Sequence, residues 1–474
     1  MKSGQVFTDN RWLVLPDEVV ALYNLFDCTT TAALVEPTKA LLHQSGNTQF
    51  FGAEFQPMLP VVLAMQARGI GYLDKPARNS MRHQLRKEIA DLEASILVDT
   101  NGTYTDKLFN SPKQLATLLF EEWGLPQPKA TRKRKATSTD LHALTWILGH
   151  LRKRDEPYRT KLHDLFHRSR LQTILERYLV VEGDPDGRVR PIIKLSGTET
   201  GRFAYAGGPG EAVQQWPSEC RHLIRAAPGH VFVGRDYSQL EARILATLAQ
   251  DIPTLEALRT GKDIHTENCR TLFGLSESQY HQLDPYRKAA FRNYAKTFLY
   301  GLSYGAKADS VKMKLFCPCH RCVAKAPAQV NLSVLEIKRA AARWEQEHWA
   351  IMDWRAKLVE SVYGYGRDRT WTGPFGWRRR FWEPQGEGER SLMNCPMQSC
   401  AAMIINRAMV KLFTKYQVPL VLQYHDELVL EVPESEAELW HTRVKDEMEA
   451  PIPELGNMSF PTSKATSDNW GGLK

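Results

Sequence analysis

The chain has 474 residues, enough to bury a large core and to divide into two or three domains. Charged residues make up 24% and apolar residues 43%, an ordinary globular balance; Lys plus Arg exceed Asp plus Glu by 62 to 54, and this charge of +8 fits a polyanionic partner without requiring one. Eight cysteines give no sign of a disulfide framework, the N-terminus lacks an apolar signal core, and no run of about 18 apolar residues could span a membrane, so a cytoplasmic protein with no membrane partner is expected.

Residues 1–75 form a short N-terminal segment with a helical pattern from Asp17 to Val35. Residues 76–178 read as a helical arm. Lys87-Glu-Ile-Ala-Asp-Leu-Glu93 is amphipathic at the helical period, and Leu115, Leu118, Leu119 and Phe120 belong to another helix. The basic run Lys129–Lys135 interrupts this arm and is expected to touch a phosphate backbone; Ser138-Thr139-Asp140 then starts a helix. Strand signals begin only after Val180. His230 to Asp236 is a β-type run followed by a helix from Ser238, which makes 179–250 one half of a sheet domain. Residues 251–362 are helical, broken by Cys317-Pro-Cys-His-Arg-Cys322. Residues 363–382, rich in Gly, Arg and aromatics, read as a turn-rich sheet edge, and a helix over 392–414 and a hairpin over 418–432 complete the second sheet half, 363–474.

Three clusters carry chemistry. Arg292, Lys296, Tyr300 and Tyr304 are each four residues apart, so they drift only about 40° per step and stay on one side of a helix. Two cations followed by two aromatics suit a polyphosphate joined to something flat, and Asp284-Pro285 supplies the N-cap and first-turn proline. A hydrophobic strand ending on Asp236 places a carboxylate at a sheet rim. In Val418–Val432, two apolar runs flank His425, Asp426 and Glu427, a trio expensive to bury without a cation or substrate, and His-Asp is a poor pair for a tight turn. Carboxylates from neighbouring strands can hold two Mg²⁺ about 3.5–4 Å apart for in-line displacement at phosphorus.

Asp236-Tyr-Ser-Gln-x-Glu-x-Arg243, Arg292-x3-Lys296-x7-Tyr304-Gly305 and His425-Asp426-Glu427, in this order, resemble the three polymerase motifs of the DNA polymerase I family (family A). The similarity runs over most of the chain from about residue 60 onward. Thr198-x-Thr200-Gly-Arg202 resembles the family's primer–template segment, and Val213-Gln-Gln-Trp-Pro217 a variant of its Leu-Gln-Asn-Ile-Pro stretch, departing at Gln215 and Trp216. Phe109-Asn-Ser-Pro-x-Gln-Leu115 resembles its thumb, and Asn394-x-Pro-x-Gln398 its minor-groove glutamine segment.

The resemblance implies an α+β right-hand fold with an antiparallel palm sheet and helical thumb and fingers: thumb 76–178, palm 179–250 and 363–474, fingers 251–362. It implies template-directed DNA synthesis from dNTPs on primer–template DNA with two Mg²⁺, for which Mn²⁺ can substitute. Asp236, Asp426 and the Tyr237 carbonyl would hold metal, with Glu427 assisting. Arg292, Lys296 and His265 would contact the triphosphate, and Lys296 would protonate the leaving pyrophosphate. Tyr300 would stack on the nucleotide, and its Tyr identity implies ready use of dideoxynucleotides. Gln239 and Glu241 would also face the nucleotide, Glu241 excluding the ribose 2′-hydroxyl; Ser238-Gln-Leu-Glu241 also fits a capping box, a role that can coexist with the first. Arg202, Gln398, His425, Tyr304, Gln214 and Arg243 would contact DNA.

Cys317, Cys319, His320 and Cys322 lack a separated second ligand pair, so reduced thiols are expected rather than zinc. Tyr23-x3-Asp27 resembles the last motif of the family's 3′→5′ exonuclease, but only 22 residues precede it. No proofreading is therefore expected, and a separate exonuclease chain is a candidate partner beside other replication proteins. The Tyr300-Gly-Leu-Ser-Tyr-Gly305 pattern and the missing nuclease domains look phage-like, which implies phage DNA replication in a host cytoplasm. Two readings of other classes remain: a two-metal nuclease or phosphohydrolase using Asp236, Asp426 and Glu427, and a non-catalytic DNA-binding scaffold.

Overall fold

A computed structural model describes residues 16–98, 100, 102–128, 138–151, 153–206, 212–285, 287–288, 291–292, 295–296, 298 and 333–473. The chain opens with α1 (Asp17–Gln44), α2 (Thr48–Phe50) and α3 (Met58–Arg68), then β1 (Tyr72–Leu73) and the helices α4 (Lys75–Val98), α5 (Pro112–Ala116), α6 (Leu141–Gly149) and α7 (Arg159–Arg177). Strands β2 (Ile192–Lys194), β3 (Ala204–Ala206), β4 (Ile224–Arg225) and β5 (His230–Tyr237) lead to α8 (Leu240–Ala249), α9 (Ile252–Arg259), α10 (Ile264–Phe273) and α11 (Glu277–Gln282). After α12 (Val334–Glu347) and α13 (Trp349–Tyr363) come β6 (Thr370–Thr372), β7 (Arg378–Arg380), α14 (Gln385–Tyr416), β8 (Leu420–Tyr424), β9 (Glu427–Pro433), α15 (Ala437–Met448) and β10 (Thr462–Ser467).

The main sheet is antiparallel with order β10-β5-β9-β8. Val231, Phe232 and Val233 on β5, and every residue of β8, are buried, which is why these strands read as continuous apolar runs. One face of β5 turns Arg235 and Tyr237 toward α15, where Tyr237 donates to the Met448 carbonyl at 2.6 Å. The other carries Gly234 and Asp236. A second, smaller core lies among α4, α6 and α7 and their connections, built on Ile96, Leu108, Leu119, Ile147 and Leu162. Each such side chain contributes about 1.5–3 kcal/mol by leaving water. Arg168 on α7 meets Glu93 on α4 at 2.6 Å, tying the two helices together.

Local signals hold at several boundaries. Asp140 caps α6 by accepting from Ala143 N–H at 2.8 Å, and Asp284 accepts from Arg287 N–H at 2.9 Å. Others depart from expectation. Residues 363–382 are not an edge of the main sheet: β6 and β7 pair only with each other, closed by a turn in which Gly373 N–H donates to the Trp377 carbonyl at 2.8 Å. Pairing of β1 with β4 supplies a strand before Val180, two residues too short to leave a periodic signal. The helix expected over 392–414 is longer at both ends, α14 covering 385–416, and α1 runs past Val35 through Pro37 to Gln44. The helix after β5 begins at Leu240, with Gln239 in the left-handed region at φ 56° as its N-cap and no side-chain cap bond. The capping box expected at Ser238 is therefore not formed.

Candidate active site

The rim of the main sheet is built by backbone pairing. Asp236 is the register partner of Glu427 across β5 and β9, and Tyr237 N–H donates to the Asp426 carbonyl at 3.1 Å. Asp236 and Asp426 therefore flank a single interstrand hydrogen bond, with Cα atoms within about 8 Å. His425 and Asp426 are the two-residue turn between β8 and β9, and His425 takes φ 56°. A left-handed non-glycine residue there costs of the order of 1–3 kcal/mol, strain of the kind that gathers at functional sites. Gln423 donates to the His425 carbonyl and is itself 3% exposed. Glu427 is buried at 2% exposure, and its Oε1 lies where a Cβ on Gly234 would come within 3.0 Å; glycine on β5 makes room for this carboxylate.

The segment before β3 is pinned against this turn. Tyr205 O–H donates to the Gln423 carbonyl at 2.9 Å and accepts from Gln423 N–H at 3.2 Å. Gln214 donates to the Phe203 carbonyl at 3.0 Å, Thr198 donates to the Arg202 carbonyl at 2.8 Å, and Gly201 at φ 75° lies against Trp377. These restraints bring Arg202 to a carboxylate pair. It is hydrogen-bonded to Glu241 in the first turn of α8, and it stands 3.8 Å from Asp426 Oδ1.

The cationic side is organised by Asp263, the N-cap of α10. This carboxylate accepts from Thr266 N–H at 3.1 Å, from Gln239 Nε2 at 2.9 Å, and from Arg292 Nε and an Arg292 terminal nitrogen at 2.8 and 3.0 Å. Burial pushes the Asp263 carboxyl up, but Arg292 and Thr266 outweigh it and hold it below the usual carboxylate range. His265 is 3% exposed; burial pushes it down to about 4, Asp263 opposing and Arg292 and Lys296 adding, so the ring is neutral at neutral pH. Both cations therefore lie close to His265. Gln239 links this side to the rim, and its buried Oε1 has no hydrogen-bond partner among the described residues.

The family model for DNA polymerase family A matches residues 75–472. This chain belongs to DNA polymerase family A. It is 30% identical over 416 residues to the thermostable DNA polymerase I of Thermus filiformis, covering 84% of this chain and 45% of that relative. It is 26% identical over 459 residues to DNA polymerase I of Geobacillus stearothermophilus, covering 92% of this chain and 48% of the relative. The chain thus spans about half the length of the curated relatives it matches. Among solved structures it is similar to the POL domain of Pol1 from M. smegmatis in complex with DNA primer-template and dNTP, with a TM-score of 0.75 and 22% identity over 93% of this chain and 74% of that one. That likeness shows the fold, the α+β right hand with an antiparallel palm sheet.

In this family A chain the structure brings together Asp236, Tyr237, Glu241, Arg202, His425, Asp426 and Glu427 on one side, and Gln239, His265, Arg292 and Lys296 on the other. Arg243 is half-buried and donates to the Ser238 carbonyl at 2.8 Å, closing the β5–α8 junction; Gln398 is partly exposed on α14. Tyr300, Tyr304, the run Lys129–Lys135 and the cluster Cys317, Cys319, His320 and Cys322 lie outside the described residues. Asp263, Tyr205 and Gln423 escaped the sequence reading. Asp263 stood inside Asp-Ile-His-Thr266 with the Asp-x-x-Thr spacing of a helix cap, the one signal that could have marked it. Arg221, which donates to Tyr424 O–H with its guanidinium 4.4 Å from that ring, left no such signal.

Asp236 and Asp426 offer hard oxygen ligands, while no group of three His, Cys, Asp or Glu side chains among the described residues is arranged to hold a metal ion. Magnesium fits such a sparse set, since it is usually bound by one or two carboxylates and completes its shell with water and substrate phosphates. Zinc finds no matching group among the described residues.

Proposed function

We propose that this chain is a template-directed DNA polymerase that adds dNTPs to a primer 3′ end. The observation that carries this reading is the meeting of Asp236 and Asp426 at one rim while Gln239, bonded to Asp263, links that rim to Arg292. Residues 76–178 serve as thumb, 179–250 and 363–474 as palm, and 251–362 as fingers. Asp236 and Asp426, with the Tyr237 carbonyl, hold Mg²⁺ or Mn²⁺, and Glu427 supports them from beneath. Bound divalent ions supply the charge that makes the primer 3′-oxygen a better nucleophile and stabilises the leaving pyrophosphate. Arg292, Lys296 and neutral His265 receive the triphosphate, Lys296 delivers the proton to pyrophosphate, and the unmatched Gln239 Oε1 is an acceptor facing the nucleotide. Glu241, braced by Arg202, crowds the sugar 2′ position; Tyr300 stacks on the incoming nucleotide and Tyr304 stands at the template side. Arg202, His425, Gln398, Gln214 and Arg243 line the DNA path.

Primer extension with a labelled primer, all four dNTPs and Mg²⁺, repeated with chelator, tests the reading. Templated extension that stops without metal is the expected result. Strand cleavage in place of extension would move the assignment to a nuclease, for which the cations at Arg292 and Lys296 have no evident use. The same assay without dNTPs tests a finer part of the proposal, that the chain does not proofread: Tyr23 and Asp27 stand on α1, which buries none of its residues. Phage replication, with a separate exonuclease chain or other replication proteins as partners, is the setting we propose.

A further inference from the structure

Among the described residues β8 is an edge strand of the main sheet, and an edge strand turns its main-chain N–H and C=O groups alternately toward its neighbour and away from it. At Gln423 they turn away from β9. Gln423 is buried, so bulk water does not serve either group, and a buried main-chain donor or acceptor needs a partner. One side chain supplies both contacts: the Tyr205 hydroxyl donates to the Gln423 carbonyl at 2.9 Å and accepts from the Gln423 N–H at 3.2 Å. Tyr205 belongs to a different sheet, the β2–β3 pair, where its register partner is Ile193. Burial pushes its phenol above the usual range, so the oxygen keeps the proton that it donates.

We propose that Tyr205 is a positioning residue for the rim: by holding the main chain of Gln423 it fixes where Asp426 stands. The functional meaning of this contact rests on the polymerase reading. Gln423 lies two residues before His425, and its side chain donates to the His425 carbonyl within a turn where His425 holds φ 56°. An anchored Gln423 opposes relaxation of that left-handed residue, and any relaxation there would carry Asp426 with it. The same short segment approaches the turn a second time, because Arg202, three residues before Tyr205, stands 3.8 Å from Asp426 Oδ1. One contact falls on the main chain ahead of the turn and the other beside the carboxylate within it, so residues 202–205 and the turn move as one body. Asp236 has less need of such a brace. Its strand, β5, is flanked by β10 and β9, whereas β8 pairs with β9 alone among the described strands.

Tyr205→Phe removes the hydroxyl and keeps the ring. Hydrogen exchange of the full metal-free chain, read by mass spectrometry, should be about 10-fold faster across the β8–β9 hairpin, the scale of one lost buried hydrogen bond, while α15 exchanges as in the parent. Mn²⁺ titration followed by paramagnetic resonance should need several-fold more ion for half-saturation. In primer extension, kcat should fall about 10-fold with the KM for dNTPs unchanged, because the Asp263–Arg292 side is untouched. Gln423→Met keeps both Tyr205 contacts but removes the donor to His425; it should give the same pattern, and the double variant should be little worse than either single one, since both cut one chain of contacts. Val444→Ala, a buried position on α15, is the control for lost stability and should lower the Tm without altering hairpin exchange or kcat. Unchanged hairpin exchange in Tyr205→Phe overturns the proposal, as do a shift in KM at constant kcat, fully additive losses in the double variant, and the same kcat loss in Val444→Ala. Exchange and Mn²⁺ binding are read without extension, so a parent chain that does not polymerise defeats the polymerase reading and leaves the positioning claim to be decided by these two measurements.

Discussion

The two sides of the candidate site are held by different kinds of force. Asp236 and the His425–Asp426 turn are fixed by main-chain pairing, with Asp236 in register with Glu427 and Tyr237 N–H on the Asp426 carbonyl. The Arg292 guanidinium is held by a side-chain contact, its fork on Asp263. Moving the carboxylate side means breaking a sheet, whereas the cationic side can exchange one partner for another at the cost of a partly exposed ion pair, about 0.2–1 kcal/mol. The carboxylates are preset and the arginine can change partners, which would suit the proposed polymerase, whose metal ligands must stay still while nucleotides come and go.

The comparison is broken most directly at the rim. Asp426→Asn keeps the shape of the turn but removes a carboxylate charge. Extension should fall by at least about 10²–10³-fold, the scale seen when one preorganised electrostatic contact is lost at a reacting centre. Duplex DNA binding, measured in parallel, should change little. An unchanged extension rate would mean that the rim carboxylates are not the reacting centre.

On the cationic side, acid should act first on stability. The unfolded chain protonates His265 near its ordinary value of 6.5, while the folded chain holds it down to about 4. Between these values the unfolded state binds the extra proton, so this contribution is full above pH 6.5 and is lost as pH falls to about 4. The loss amounts to up to about 3 kcal/mol. Urea unfolding across that window should show the slope, and His265→Gln should flatten it; an identical slope in both chains would place the titrating group elsewhere.

Much of this contrast was already legible in the chain. The β8–β9 hairpin announced itself through two apolar runs flanking His425, Asp426 and Glu427, and Asp236 through an apolar strand that runs up to a charge. What stayed hidden was three-dimensional satisfaction. Nothing in the spacing of Ser238 and Glu241 says that Glu241 bonds Arg202, 39 positions away, instead of capping its own helix. A residue such as Gly234 similarly signals only flexibility in sequence, whereas in the fold it is the space that Glu427 occupies. The β6–β7 pair was misplaced because a turn-rich, aromatic segment reads the same whether it joins a large sheet or pairs with itself.

Arg292→Ala should sharpen the distinction between the sides. Loss of a charge-assisted contact of about 1.5–3 kcal/mol should raise the KM for dNTPs about 10- to 100-fold, with binding of primer–template DNA unchanged. An equal loss of DNA affinity would show that the arginine holds the duplex instead. Glu241→Ala tests the bridge at Arg202: ribonucleotide incorporation should rise about 10-fold or more, as expected when one discriminating contact is removed. If sugar selection is unaltered in a normally folded chain, Glu241 serves only to hold Arg202.

The smallest effect is expected at Asp263, and it separates an exchangeable arginine from a merely structural one. Asn at this position can still cap α10, because its side-chain oxygen accepts from Thr266 N–H as the carboxylate does. Asp263→Asn should therefore leave thermal stability nearly intact while weakening the resting partner of Arg292. If triphosphate and Asp263 compete for the same guanidinium, the apparent affinity for dNTP should improve by roughly two- to five-fold, the equivalent of a surface-level ion pair. The double variant Asp263→Asn with Arg292→Ala should show no such gain over Arg292→Ala alone. A loss of dNTP affinity in the single variant would mean that Asp263 aims the arginine at the nucleotide, and that the cationic side is as preset as the rim.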